Sequence, residues 1–191
     1  MCVLKKVLFL MLLCVLTLSS CVVYVDWYSF FTLEIIEEAR ARILAENPGV
    51  ELSFFEFTAS PLPDGESSFR GDTTVDDLIW WEFVFNCNEG QTAIIRQENG
   101  VWQASEIVNE PWLEDVIFES YLLSFDLADA IEILKMAQLG GNTTTGDLFD
   151  YVVFRQPLHP DITEPYYIFT VGPEQYVFVG AITGIVESDF F

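Results

Sequence analysis

The spacing of apolar residues changes along this chain, and two stretches carry it at the interval of an α-helix. Residues 32–46 repeat apolar side chains at that interval, with glutamates in the early turns and arginines later. A helix dipole favours this order of charges. Residues 127–139 repeat the same spacing, and Asp126 stands where an N-cap is expected. The sequence therefore predicts one helix in each half of the chain.

Other stretches are typical of β-strands, because their apolar side chains alternate with polar ones or fill short runs between turn residues. Asn99 and Gly100 form the strongest hairpin signal. A loop rich in Pro, Gly, Ser and Asp is predicted at residues 59–77, and a connector of helical or irregular structure at residues 111–125. The predicted strands are residues 50–58, 78–87, 91–97, 101–108, 147–156, 166–171 and 175–181.

The two halves of the chain share one order of elements, a helix followed by three strands. Residues 81–102 align with residues 165–186 without a gap, and this alignment places Phe85 on Phe169. Internal similarity of this kind indicates a duplicated structural unit. We therefore predict an α+β fold of two repeated units, each a helix plus a three- or four-stranded antiparallel sheet, packed side by side.

The second half resembles a PepSY-type unit. The resemblance rests on the helix start at residues 126–130, the strand from Tyr166, and the ending Thr183-Gly184-Ile185. Residues 99–101 give the first half a weaker resemblance, and the tandem plan is also similar to the architecture of the β-lactamase inhibitor protein. The resemblance implies exported, non-catalytic modules that bind or restrain other envelope proteins, proteases among them. The two units are expected at residues 32–110 and 126–191.

The N-terminus has the layout of an export signal. Two lysines, Lys5 and Lys6, precede an apolar run at residues 7–18 that is too short to span a bilayer of about 30 Å. A buried core helix is the alternative interpretation of this run. Leu18-Ser19-Ser20-Cys21 resembles the lipobox of bacterial lipoproteins.

The lipobox resemblance implies how the mature chain begins. Cleavage is expected between Ser20 and Cys21, with residues 1–20 as the signal and residues 21–31 as a lipidated tether. Acyl chains on Cys21 would anchor the chain in a lipid bilayer, since each buried methylene contributes about 0.8 kcal/mol. The expected location is the cell envelope: the outer membrane or the periplasmic face in a Gram-negative cell, and the cell surface otherwise.

The mature chain would be strongly acidic. It keeps six of the eight basic residues and all thirty acidic ones, a formal charge of −24. Such a surface repels nucleic acid, so we expect no nucleic-acid partner. It suits a basic protein partner, a divalent ion, or simple solubility. The acids of residues 59–77 lack the ligand spacing of an EF-hand loop, so no metal site is assigned.

The sequence offers little catalytic chemistry. After processing, Cys87 is the one remaining cysteine, so no intramolecular disulfide can form. His159 is the only histidine and lies in a loop flanked by prolines, which argues against histidine-dependent nucleophilic catalysis. Thirty acidic residues create close carboxylate pairs by chance. We therefore predict a non-enzymatic chain with no cofactor and no catalytic residue.

These observations predict a membrane-anchored envelope lipoprotein that acts as a protein-binding or inhibitory module. The alternative is an acidic surface module that binds carbohydrate or a divalent ion. Aromatic residues anchor many interfaces, so Trp80, Trp81 and Tyr166 are the candidate partner contacts. Neighbouring side chains in a strand point to opposite faces, so Trp80 and Trp81 cannot both face one partner.

Overall fold

The computed structural model describes residues 31–61, 73–88, 90–112, 123–139, 148–157 and 162–188. The elements described below all lie within these ranges. Several predicted features lie outside the described residues: the signal and lipobox with Ser20 and Cys21, the tether up to residue 30, residues 62–72 of the acidic loop, residues 113–122 of the connector, and His159.

Both helices form where the apolar spacing predicts them. Helix α1 spans Phe31–Glu46 and helix α2 spans Leu127–Leu139, so both helix predictions are confirmed. A short 3-10 helix, Val75–Asp77, lies before the second strand. The strands are β1 (Leu52–Ser60), β2 (Trp80–Cys87), β3 (Gln91–Glu98), β4 (Val101–Trp102), β5 (Glu106–Val108), β6 (Tyr151–Arg155), β7 (Tyr166–Gly172), β8 (Gln175–Gly180) and β9 (Val186–Glu187).

The strand predictions hold in position more than in length. Each predicted strand overlaps an observed one, but residues 101–108 divide into the short strands β4 and β5. Strand β9 has no predicted counterpart. The hairpin turn at Asn99 and Gly100 is confirmed, and both residues adopt positive φ, 49° and 76°. Two consecutive residues with positive φ match the type I′ turn that the Asn-Gly pair predicts.

The nine strands in the described part of the chain belong to one antiparallel sheet. Its order is β4-β3-β2-β1-β6-β7-β8-β9, and β5 pairs with the same edge of β3 as β4. Strands β1 and β6, from the two halves of the chain, are neighbours, and Phe57 pairs with Phe154. The predicted α+β fold of two repeated helix-plus-sheet units packed side by side is therefore wrong. The protein has one sheet-dominated fold, with two α-helices among the described residues.

The pairing of β1 with β6 has a physical reason that local spacing does not contain. An edge strand leaves a row of N–H and C=O groups without partners, and covering that row is favourable. Four residue pairs between β1 and β6, from Glu56 with Arg155 to Ala59 with Val152, provide this cover. The predicted unit boundaries, 32–110 and 126–191, stay a prediction.

A single aromatic core fills the space between the sheet and the helices. Ile36, Ala39 and Ile43 of α1, and Ile131 and Leu134 of α2, are buried in the same cluster. Burial of a large apolar side chain contributes about 1.5–3 kcal/mol. The strands supply the rest of this cluster, chiefly Phe54, Phe57, Trp81, Phe83, Phe85, Phe154, Tyr167, Phe169 and Val179.

Aromatic rings continue across the boundary between the two halves of the sheet. The ring centroids of Phe57 and Phe154 lie 5.3 Å apart, and those of Phe154 and Tyr167 lie 4.8 Å apart. These separations fall in the range of favourable aromatic pairs. The core therefore does not divide where the sequence halves divide.

Candidate functional site

The strands carry side chains on two faces, and one of these faces packs against the two described helices. We call the opposite side the second face; it carries alternate residues such as Trp80 and Glu82 of β2, Val153 of β6, and Ile168 of β7. A sheet face that only meets water is normally polar. The second face is instead partly apolar and aromatic, so it is the candidate interaction surface.

A groove of about 340 Å³ lies on the second face over β6, β7 and β8. The register of these strands aligns its walls in rows. Tyr151 pairs with Thr170, and Thr170 pairs with Tyr176. The next row consists of Val153, Ile168 and Phe178. We call this the second-face groove, lined by Glu56, Tyr151, Val153, Arg155, Ile168, Thr170, Tyr176 and Phe178.

The floor of the groove belongs to a small apolar cluster that is separate from the main core. Tyr166, Ile168 and Phe178 are buried in it, and Val153 and Ile162 pack against them. The rings of Tyr166 and Phe178 meet edge to face with centroids 6.3 Å apart. This cluster gives the groove an ordered apolar base, because aromatic side chains lose little conformational freedom when they are fixed.

Two tyrosines stand on either side of β7 at one end of the groove. Tyr176 is 41% exposed. The electrostatic effect of Tyr151 raises the pKa of Tyr176, and burial, a hydrogen bond with Tyr151 and the charge of Glu174 add to this. The two phenol groups are therefore close neighbours. Together they present a polar, aromatic rim to solvent.

Thr170 lies between these tyrosines and is 7% exposed. Within the described part of the chain, its hydroxyl oxygen has no hydrogen-bond partner. A buried hydroxyl without a partner costs about 1–3 kcal/mol. Native structures keep few such groups, so an unpartnered hydroxyl in the lining of a groove is a point at which a ligand can bind.

Ion pairs cross the second face beside the groove. Arg155 Nη1 lies 3.6 Å from Glu56 Oε2, and both residues line the groove. Farther along the sheet, Arg96 Nε donates to Glu82 Oε2 at 2.6 Å. The five basic residues of the described chain all take part in ion pairs: Arg40, Arg42, Arg96, Lys135 and Arg155.

Acidic residues at the rim are not neutralised in this way. Glu174 lies in the turn before β8 and Glu187 in β9; neither forms an ion pair with a described residue. Burial raises the pKa of Tyr166, and the charges of Glu164 and Glu187 raise it further. The Glu164 carboxylate accepts hydrogen bonds from the N–H groups of Ile182 and Thr183 at 2.8 and 2.9 Å. The rim of the groove therefore has excess negative charge.

The three predicted contact residues take different positions. Trp80 is half-buried on the second face. Tyr166 is 7% exposed, and its side chain belongs to the small apolar cluster that forms the floor of the groove. Trp81 is 2% exposed and stacks on Phe83 in the main core, with Nε1 donating to the Leu78 carbonyl at 3.2 Å. Strands β1 and β6 separate Trp80 from Tyr166, so the structure does not join them in one contact.

A second groove, of about 360 Å³, lies between α1 and the start of β2. Phe31, Ile35 and Trp81 form its apolar side, and Glu34 and Asp76 stand at its rim. Trp102 Nε1 donates to the carboxylate of nearby Glu38 at 2.8 Å. No described group of three or more His, Cys, Asp or Glu side chains is arranged to hold a metal ion.

Cys87 lies in the core as a free thiol. Burial raises the pKa of this thiol, which lowers its thiolate fraction and its nucleophilicity. In the part of the chain that the structure describes, neither helix has the length and apolar content needed to cross a membrane.

Comparisons with protein-family models, with curated proteins and with solved structures found no match. The groove and its chemistry are therefore the basis for a functional hypothesis.

Sequence reasoning missed the residues that shape the groove. Tyr151, Thr170, Tyr176 and Arg155 all lie in or beside predicted strands, yet none was singled out. A signal was present in the sequence of strand β7, which is apolar or aromatic at almost every position. A strand with one solvent-exposed face instead alternates between apolar and polar residues. Residues 166–170, Tyr-Tyr-Ile-Phe-Thr, thus pointed to a second face that is not simply solvent-exposed.

Proposed function

We propose that this chain is a membrane-anchored lipoprotein of the bacterial cell envelope, attached through an acylated Cys21. Its folded part acts without catalysis, by binding or inhibiting another envelope protein. The anchor is supported by the lipobox-like Leu18-Ser19-Ser20-Cys21. The binding role is supported by one observation above all: an aromatic and apolar groove on the sheet face opposite the helices.

The composition of this groove fits a protein interface. Tyrosine, tryptophan and arginine dominate the binding energy of protein interfaces, and the groove has Tyr151, Tyr176 and Arg155 in its lining. Its floor is apolar and its rim is polar, the usual arrangement of a contact patch. The acidic surroundings favour a basic partner and accelerate the encounter with it.

The anchor is tested by following lipid on the chain. We expect cells that make the chain to incorporate labelled palmitate into it and to hold it in the membrane fraction. Cys21→Ser should abolish both the labelling and the cleavage before residue 21. Cys87→Ser is the matched control, because it removes the buried cysteine of the folded part and should keep the label. A Cys21→Ser chain that still carries lipid would refute the anchor.

The binding role is tested by photo-cross-linking in living cells. A photo-reactive phenylalanine analogue in place of Tyr176 should cross-link to one envelope protein. The same analogue in place of Met136 should not, because Met136 is 67% exposed on α2, which lies on the other side of the sheet. The proposal fails if no adduct forms at Tyr176, or if the purified chain turns over a peptide or glycan substrate.

A further inference from the structure

The second-face groove has the dimensions of a site for one or two side chains. Its volume of about 340 Å³ lies at the lower end of the range of about 300–1,000 Å³ for ligand pockets. The row Val153, Ile168 and Phe178 forms an apolar strip across its floor. An aromatic or large aliphatic side chain can therefore bury its surface on this strip, which is favourable in proportion to the apolar area removed from water.

Thr170 adds a polar requirement to this apolar site. Its hydroxyl lines the groove, is nine-tenths buried, and has no hydrogen-bond partner among the described residues. A hydroxyl can donate one hydrogen bond and accept two. An occupant that brings a backbone N–H or C=O to Thr170 would give this hydroxyl the hydrogen bond that it lacks in the free protein.

The charges around the groove favour basic residues on either side of the inserted side chain. All five described basic residues are already paired with acids, including Arg155 with Glu56 at the groove wall. Glu187 pairs with the groove residue Phe178, and Glu174 lies in the turn before β8; neither has a basic partner in the described chain. Both act electrostatically on tyrosines of the groove and its floor, Tyr176 and Tyr166. Positive groups beside the buried side chain would meet these two carboxylates.

We propose that the second-face groove binds a protein segment that inserts one aromatic or large aliphatic side chain, flanked by lysine or arginine, and that the segment's backbone hydrogen-bonds to Thr170. This inference rests on the proposed function, a protein-binding role, and names the chemistry of the partner. Val153, Ile168 and Phe178 bury the inserted side chain. Glu174 and Glu187 hold the basic flanks.

Three short peptides test this chemistry on the full-length chain in a non-ionic detergent. The probe is acetyl-Lys-Lys-Phe-Lys-Lys-amide with a fluorescent label, and binding is read from anisotropy. One comparison peptide replaces the phenylalanine with alanine, and the other replaces the lysines with glutamates. We expect the probe to bind at least about tenfold more tightly than either comparison peptide, which corresponds to about 1.4 kcal/mol of selectivity. Equal binding of the glutamate peptide would overturn the charge assignment.

Variants of the chain show whether the probe binds in the second-face groove. Tyr176→Ala and Glu187→Lys should each weaken probe binding about tenfold. Glu34→Lys is the matched charge control and Met136→Ala the matched apolar control, because both positions are exposed and lie in the helices. Neither control should change the affinity by more than about twofold.

Thr170→Val tests the role of the hydroxyl in binding separately from the stability of the fold. Valine matches threonine in shape, so the variant should unfold at no lower temperature than the natural chain. Its affinity for the probe should nevertheless fall several-fold. Unchanged affinity in both Thr170→Val and Tyr176→Ala would overturn the site. If no peptide binds but the cross-link from position 176 forms, the partner chemistry is wrong and the proposed function stands. If the probe binds in the groove but no cross-link forms, the proposed function fails instead.

Discussion

Thr32 and Asp126 lie 94 residues apart in the chain, and each caps the helix of the other. Asp126 Oδ1 accepts the N–H of Thr32 at 2.9 Å, and its Oδ2 accepts the N–H of Phe31 at 2.7 Å. In return the Thr32 hydroxyl oxygen accepts the N–H of Leu127 at 3.1 Å. The first N–H groups of a helix have no partner within it, so this exchange provides partners for such groups at both N-termini.

The junction is closed by two further contacts. The Thr32 hydroxyl also bonds to the Asp126 carboxylate. The hydroxyl of Tyr167, from the centre of the sheet, lies 3.0 Å from that of Thr32 and donates to the Phe125 carbonyl at 3.2 Å. The negative carboxylate meets the positive ends of two helix dipoles, which adds to the stabilisation. One aspartate therefore joins helices from both halves of the chain.

Asp126→Ala should destabilise the fold more than the loss of an ordinary cap. A single N-cap contributes about 0.5–2 kcal/mol, so removal of a cap that serves two helices should cost about 1–4 kcal/mol. Urea unfolding followed by circular dichroism gives this difference. Asp129→Ala is the control, because the carboxylate of Asp129 accepts the Asp126 N–H at one of these helix ends, so this substitution should cost less. Equal losses in the two variants would contradict the shared cap.

Tyr167→Phe should weaken the same junction and change its response to alkali. Loss of its buried hydrogen bonds should cost about 1–2 kcal/mol at neutral pH. Burial, the largest cause, raises the pKa of Tyr167, and the charges of Asp126 and Asp129 add to it. Above about pH 10 the unfolded tyrosine loses its proton while the folded one keeps it, so stability falls as pH rises.

The natural chain and the Tyr167→Phe variant should therefore differ in how steeply the free energy of unfolding falls with pH, as well as in stability at neutral pH. In the Tyr167→Phe variant the free energy of unfolding should fall less steeply above about pH 10 than in the natural chain. Urea midpoints measured at several alkaline pH values give both slopes. Some slope should remain, because the pKa values of Tyr166 and Tyr176 are also raised. Identical slopes would contradict the buried state of Tyr167.

Thr170→Val should stabilise the free protein by about 1 kcal/mol, because it removes a buried hydroxyl that has no partner in the described chain. Thr92→Val is the matched control. Thr92 is also buried on the sheet, but its hydroxyl donates to the Glu110 carbonyl at 2.7 Å, so its loss should destabilise. Thermal unfolding of both variants should give shifts of opposite sign. A lower midpoint for Thr170→Val would show that its hydroxyl is bonded in solution.

Gly184→Ala should be more harmful than Gly100→Ala, although the two residues occupy matching positions in the aligned halves. Both have positive φ, +67° and +76°, so alanine adds backbone strain of about 1–2 kcal/mol at each. At Gly184 a new methyl group would also lie 2.8 Å from the Phe125 ring, whereas nothing lies within 4 Å at Gly100. The difference between the two variants in urea unfolding measures the steric part. No difference would mean that Phe125 moves aside freely.

The sequence determined the local elements of this protein. Apolar spacing located α1 and α2, and the Asn99-Gly100 pair located the turn between β3 and β4. Asp126 was identified as the cap of α2, and its Oδ1 does accept the N–H of Leu127 at 2.7 Å. These features depend on residues that are close in the chain, so their signal is visible in a short window.

The tertiary structure alone decided how the two halves meet and where the binding surface lies. Local spacing is the same whether β1 ends a sheet or pairs with β6, so the single sheet could not be deduced from it. The second cap of Asp126, on α1, arises only because the fold brings Thr32 to it. Likewise Tyr151, Thr170 and Tyr176 form one row only through the register of three strands. Periodicity assigns a residue to a face, but only long-range pairing decides which side chains share that face as neighbours.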